Sequence, residues 1–304
     1  MREYDSKSDA EVTKTLGRKI CNSVTHCEKM ADGVTRCEKR ADGVMRCEKR
    51  VDGVMRCEAK GVVLNLQKDR GEILRYLGYR GGEIDENTEI NIAQCIDEVN
   101  DVATVRTTWK LCKLQSDDAG NPGVWVDRQY FLPGESIDKH LRGCSMGVLL
   151  GVTVGNAVDE AINRLMVTNP AKGVIMNACA IALVEKAADN LQKEIDNRLE
   201  KDYLKKIQSE KDYIKKDEIQ SEKDYLKADE IQSEKDYLKS DEIQSGAKTG
   251  IRFSPGYGDL PIETQVYMAK MLDLERRIGV RVNSNMMMNP VKSVTAIAGI
   301  VINN

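Results

Sequence analysis

Aromatic side chains are scarce in this sequence: two Phe, two Trp and ten Tyr make up 5% of 304 residues, and there are only two His and six Pro. His26 and His140 are the only imidazoles, and none of the nine cysteines forms a Cys-x-x-Cys pair, so a zinc site has little support. An excess of one charge is missing too. The 46 basic and 49 acidic residues leave a net charge of −3, which gives no overall drive toward nucleic acid or an anionic membrane. The longest apolar runs, near 147–154 and 174–184, are too short to span a bilayer, and the opening "MREYDSKSDAEV" lacks the apolar stretch of a signal peptide. These absences lead us to expect a cytoplasmic protein with free thiols and neither a nucleic-acid nor a membrane partner.

What is present begins with two tandem repeats. The first reads "CEKMADGVTR", "CEKRADGVMR", "CEKRVDGVMR" and decays into "CEAKGVV", so that Cys27, Cys37, Cys47 and Cys57 recur every ten residues. Its Asp-Gly steps are hairpin-turn signals, but the segments between them have no clean apolar face. Residues 1–61 therefore read as an N-terminal arm, poorly ordered rather than a meander. The second repeat, "EKDYLKADEIQS", fills residues 200–245. A twelve-residue period advances each Tyr-Leu pair about 120° around an α-helix, so successive copies build no common seam. It reads as a charged insertion, helical or disordered.

The remaining text, 62–199 and 246–304, reads as one α+β domain with a mixed, largely antiparallel sheet and flanking helices. Residues 85–103 carry Ile92, Ile96, Val99 and Ala103 at the spacing of one helical face. "TVRTTWKLCKL" and "VWVDRQYFL" read as an antiparallel pair, and "MGVLLGVTVG" as a buried strand. Ser136 is the expected cap of a short helix ending at Gly143, and Asn156 the expected start of another. Val184, Ala187, Leu191, Ile195 and Leu199 line a long helix after the break at "TNPAKG". Residues 262–278 read as one helix with a stripe of Tyr267, Met271, Leu274 and Ile278, followed by two strands around a Met-rich loop.

The least ordinary stretch is "RFSPGYGDLP", residues 252–261. Pro255 fixes φ and Gly256 permits a positive φ, so "SPGY" suits a type II turn that holds Arg252 and Tyr257 around a small concavity. An arginine there offers a planar fork for a carboxylate, and a tyrosine ring can lie against a cation or a base. The competing reading is a plain connector. A second motif, Asp138-x-His140-x-x-Gly143, matches the pattern that supplies an axial histidine in some cobalamin domains. That pattern belongs after a strand of a doubly wound domain and before a glycine pair, and neither context appears, so it reads as a helix end. Met286, Met287 and Met288 read as gap-fillers.

Arg252-x-x-Pro255-Gly256-Tyr257, with Pro261 and Thr264 after it and Met288-x-Pro290-x-x-Ser293-Val294 further on, resembles the S-adenosylmethionine-binding activation domain of cobalamin-dependent methionine synthase. The resemblance covers 64–199 and 246–304, in the manner of a stand-alone reactivation protein. It implies a cofactor, S-adenosylmethionine, and a partner, a separate methionine synthase chain carrying the cobalamin, with flavodoxin or ferredoxin as reductant. It also implies roles: Arg252 on the methionine carboxylate, the Ser254 backbone on the ligand, Pro255 and Gly256 shaping the turn for close approach, Tyr257 toward the corrin, and Ser293 in the C-terminal part of the site. Where the family often has an aromatic after the Ser-Val pair, this chain has Thr295-Ala296-Ile297-Ala298. No motif identifies the acid that pairs with the ligand ammonium; Asp85 and Glu72 are the candidates in the N-terminal part. Such methyl transfer needs no general base, only alignment of two centres and exclusion of water. A non-catalytic scaffold that keeps the fold and acts through its repeats is the alternative.

Overall fold

The computed structural model describes the backbone at residues 28–29, 35–37, 46–49, 55–58, 62–81, 83–224 and 246–302, and side chains at 62–81, 83–202 and 246–301. The strands are β1 (Glu28–Lys29), β2 (Thr35–Cys37), β3 (Arg46–Lys49), β4 (Met55–Glu58), β5 (Arg106–Ser116), β6 (Gly123–Val126), β7 (Tyr130–Pro133), β8 (Met146–Thr153), β9 (Ala247–Thr249), β10 (Arg281–Val282), β11 (Met288–Asn289) and β12 (Ser293–Ile302). The helices are α1 (Leu66–Tyr76), α2 (Glu86–Val102), α3 (Glu135–His140), α4 (Asn156–Thr168), α5 (Pro170–Asp224), α6 (Thr264–Leu272) and α7 (Leu274–Ile278).

One sheet runs β1-β2-β3-β4-β5-β8-β12-β9, with the β6-β7 hairpin extending from the far end of β5. Every ladder among the described residues is antiparallel, so the expected α+β class holds and its "mixed" sheet is corrected to antiparallel. β8 is buried at all eight positions, as its unbroken apolar run implies. Its side chains alternate: Val148, Leu150 and Val152 meet α1, α2, α4 and α5, while Leu149 meets the layer of α3, α6, α7 and the hairpin. The small residues of this strand serve the second layer, where Gly151 leaves room for Leu274.

Local sequence sets the helix ends. Asp85 caps α2 by accepting from Thr88 N at 3.0 Å, and Ile92, Cys95, Ile96 and Val99 are its buried face. Asn169 accepts from Lys172 N at 3.2 Å and is followed by Pro170, a first-turn residue that needs no N–H partner, so α4 stops and α5 starts at the expected break. α5 buries Leu183, Ala187, Leu191, Ile195 and Leu199 and then continues as helix to Asp224.

Four local readings are corrected. "VWVDRQYFL" is itself a hairpin, because Asp127 and Arg128 both take left-handed φ (52° and 59°), and Asp127 is held by Lys113 N at 2.9 Å and Lys110 Nζ at 2.8 Å. The single helix over 262–278 is broken at Asp273 (φ 50°), which turns Tyr267 outward and buries Met268, Met271, Leu272, Leu274 and Ile278. The methionine run does not fill the core: Met287 is exposed, and only Met288 packs on it. The third helix starts at Glu135, and Ser136 is not its cap.

Candidate functional site

The turn forms as its chemistry dictates. Tyr257 N donates to Ser254 O at 3.2 Å and Gly256 has φ 86°, so 254–257 closes as a type II turn with Pro255 at the second position. Three contacts hold it against the body. Upstream, Phe253 exchanges both backbone hydrogen bonds with Ile297 of β12, at 2.8 and 2.9 Å. His140 Nε2–H donates to Ile251 O at 2.7 Å, and its ring lies 4.9 Å from that of Phe253. Downstream, the Asp259 carboxylate accepts from Glu135 N at 2.7 Å and Ser136 N at 3.0 Å, doing for α3 what Ser136 was expected to do. The Ser136 N–H is the main reason the Asp259 carboxyl sits below its usual range. A methyl group at Gly258 (φ 56°) would come within 2.7 Å of Ser136 Oγ, so the loop runs flush on α3. His140 thus has a backbone partner, in keeping with the helix-end reading of its motif.

Opposite the turn stands a polar stripe of α5. Glu185, Asp189, Gln192 and Asp196 follow each other at helical spacing beside the apolar stripe that enters the core. Asp196 Oδ1 accepts from Thr249 N at 2.8 Å and Thr249 Oγ1 at 2.6 Å, fixing β9. Gln192 donates to Thr249 Oγ1 at 2.8 Å and Gly250 O at 2.6 Å, and its oxygen accepts from Arg252 Nη1 at 2.9 Å. Arg252 Nη2 lies 2.8 Å from Asp189 Oδ1 and 3.2 Å from Glu185 Oε2. The guanidinium is mostly buried, whereas Glu185 and Asp189 keep 41% and 55% of their surface exposed.

Between stripe and turn is a cavity of about 650 Å³, bordered by Glu185, Asp189, Arg252, Phe253, Ser254 and Tyr257, among others. Its charged walls are two carboxylates and one guanidinium, a sum of −1. Phe253 and the largely exposed Tyr257 give flat apolar surface. Such a hollow suits a small ligand that carries a carboxylate, more than one positive charge and a planar apolar group.

Of the residues singled out from sequence, Arg252, Ser254 and Tyr257 share this cavity. Pro255 is buried beneath the turn, and Gly256 is exposed at its tip. Ser293 sits elsewhere: its hydroxyl donates to Pro290 O at 2.7 Å and lies 2.9 Å from Thr153 Oγ1, while the next residue, Val294, borders the cavity. Strand alternation puts the two on opposite faces. Neither candidate acid reaches the cavity, since Asp85 caps α2 and Glu72 pairs with Arg75. The acids that do, Glu185 and Asp189, were missed, as was Phe253. Among the described residues no group of three or more His, Cys, Asp or Glu is placed to hold a metal, and no helix is long and apolar enough to cross a membrane.

The loop and the strand it bridges fall within one recognisable sequence unit. Residues 229–302 match the family "Vitamin B12 dependent methionine synthase, activation domain". The resemblance read from the loop motif is thereby shown for the C-terminal part of the chain. The match begins inside the second repeat and carries the turn, α6, α7 and β12. A solved structure described as "Crystal Structure of the MetH Reactivation Domain bound to AdoHcy" is similar at 15% identity, over 81% of this chain and 78% of that one, with a TM-score of 0.44. No curated protein matches the sequence.

Proposed function

We propose that the cavity between α5 and the 252–257 turn binds S-adenosylmethionine, and that the chain acts as a stand-alone reactivation protein. It would support the methylation of cob(II)alamin carried by a separate methionine synthase chain. The overall change takes one electron, from a flavodoxin or ferredoxin, and moves the methyl group from sulfur to cobalt, leaving the neutral thioether. Everything required of this chain is binding and placement.

The observation that carries this reading is the charge pattern around Arg252. S-adenosylmethionine brings one carboxylate, one ammonium and one sulfonium, a sum of +1 against −1 on the cavity walls. Arg252 offers its fork to the carboxylate, and Glu185 and Asp189 face the ammonium. Phe253 stands in for the aromatic absent after Ser293-Val294, giving the adenine a surface, and the Ser254 backbone and Gly256 allow close approach. Tyr257, exposed at the rim, is positioned to meet the partner. Pro255 and Ser293 act indirectly, through the turn and the sheet.

The test is methylation of a cob(II)alamin-loaded methionine synthase lacking its own activation domain, supplied with reductant and S-adenosylmethionine. Addition of this protein restores methylcobalamin, and Arg252→Ala fails to restore it. Equal recovery with and without the protein removes the proposal. A second reading rests on α5, which continues as helix to Asp224, well beyond Leu199, the last of its buried residues among those whose side chains are described. The repeat would then serve as a partner-binding arm, and deletion of 200–245 would abolish partner capture while Arg252→Ala left it unchanged.

A further inference from the structure

Helix α3 holds the site loop at both ends. Its amides at Glu135 and Ser136 donate to the Asp259 carboxylate at 2.7 and 3.0 Å, where the loop leaves. Its last residue, His140, donates from Nε2 to Ile251 O at 2.7 Å, where the loop enters. A carbonyl oxygen only accepts, so Nε2 carries a proton whatever the state of Nδ1. The helix itself is seated by Ile137, which is fully buried in the second layer. Residues 252–258, with Arg252 and the Ser254–Tyr257 turn, are therefore strung between two fixed points.

The upstream contact bears on Arg252. Ile251 O and Arg252 N belong to one planar peptide unit, so a bond to that oxygen fixes the plane from which the Arg252 side chain departs. Ile251 is 79% exposed, and packing contributes little to holding it. On the other helical layer Gln192 donates to Gly250 O at 2.6 Å. One residue beyond Arg252 the Phe253 backbone pairs with Ile297, and the Phe253 ring lies 4.9 Å from that of His140. We propose that His140 is a positioning residue of the cavity: acting through the Ile251–Arg252 peptide, it sets the direction of the guanidinium toward a ligand carboxylate. The inference rests on the S-adenosylmethionine reading of that cavity. Glu185, Asp189 and Gln192 act on the tip of the Arg252 side chain, and His140 acts on its root. Loss of the His140 bond frees the peptide plane while the tip keeps its partners, so the effect falls on recognition of the carboxylate rather than of the ammonium.

The test is calorimetric titration of the full chain with S-adenosylmethionine and with its decarboxylated analogue, whose two positive charges the acidic walls still attract. His140→Ala weakens S-adenosylmethionine about tenfold, the scale of one hydrogen bond, and leaves the analogue within about twofold of wild type. His140→Gln, whose side-chain amide supplies a donor near the place of Nε2, regains most of the lost affinity. His140→Leu, which keeps an apolar contact with Phe253 but has no donor, behaves as His140→Ala does and takes its place should that variant not fold. Equal losses for the two ligands would mark general damage to the loop and overturn the proposal. So would wild-type affinity in His140→Ala or His140→Leu, or a His140→Gln variant that regains nothing. A wild type that binds neither ligand removes the parent reading as well, whereas the other contrary results leave that reading standing.

Discussion

Arg252 Nη2 stands 2.8 Å from Asp189 Oδ1, so the guanidinium that we propose for a ligand carboxylate is balanced beforehand by an acid of the α5 helix. An isolated buried cation would cost far more to hold than this paired one. The pair also sets a preference: with Glu185 nearby, the walls favour a ligand with net positive charge.

Discrimination by charge follows. Asp189→Asn is expected to weaken S-adenosylmethionine binding by about tenfold, ~1.4 kcal/mol, a modest value because Asp189 is half exposed and screened. Binding of the uncharged thioether, S-adenosylhomocysteine, should fall less. Calorimetric titration of both ligands checks this, and an equal loss for the two would argue against a role for the sulfonium charge.

Gln192 ties the helix to three points of one strand and loop, Thr249, Gly250 and Arg252. Gln192→Ala should destabilise the protein by about 1–3 kcal/mol, the usual cost of leaving partly buried partners unsatisfied. Ligand affinity should fall with it as Arg252 loses its fixed orientation. Urea denaturation and calorimetry on the same variant separate the two effects.

The contact of Asp259 with α3 should be sensitive to acid. Its folded carboxyl titrates below the ordinary value of 3.8, chiefly because the Ser136 N–H donates to the ionised form. The sign follows from linkage: the stabilisation is complete above the unfolded value and is lost as pH falls through the depressed folded one. Amide exchange at Glu135 and Ser136, corrected for intrinsic rates, should therefore accelerate only below about pH 4. Asp259→Asn should abolish that step.

Gly258→Ala meets two obstacles at once, a left-handed φ of 56° and a Cβ within 2.7 Å of Ser136 Oγ. We expect a loss of about 1–3 kcal/mol. Combination with Ser136→Gly should recover only the steric part, which thermal unfolding of the single and double variants can measure.

Buried thiols should be inert. Burial raises Cys95 to about 11 and Cys179 to about 12, so both stay protonated at neutral pH. Alkylation followed by peptide mass mapping should find both unmodified in native protein and modified after unfolding.

Much of this architecture is legible in the chain because single residues settle local choices. The apolar run of β8, the face of α2, the Asn169-Pro170 break and the Ser-Pro-Gly-Tyr turn all form where their chemistry directs. Other features depend on contacts distant in sequence. Glu185, Asp189, Gln192 and Asp196 have legible spacing, but a polar helical stripe ordinarily faces water, and only the return of residues 249–257 gives it partners. Asp259 caps a helix more than a hundred residues before it, which no local pattern announces. Left-handed backbone at Arg128 runs against the preference of its residue type, and an aspartate at 273, tolerant of that region, does not announce it inside a helical pattern, so the second hairpin and the α6–α7 break are poorly signalled.

The central claim is that the hollow beside Arg252 receives S-adenosylmethionine. Isothermal titration of wild type and Arg252→Ala with this ligand tests it most directly. Saturable one-to-one binding by the wild type, lost or strongly weakened in Arg252→Ala while the variant keeps its thermal stability, is the predicted result. Absence of binding to the wild type, or equal affinity in both proteins, would contradict the account.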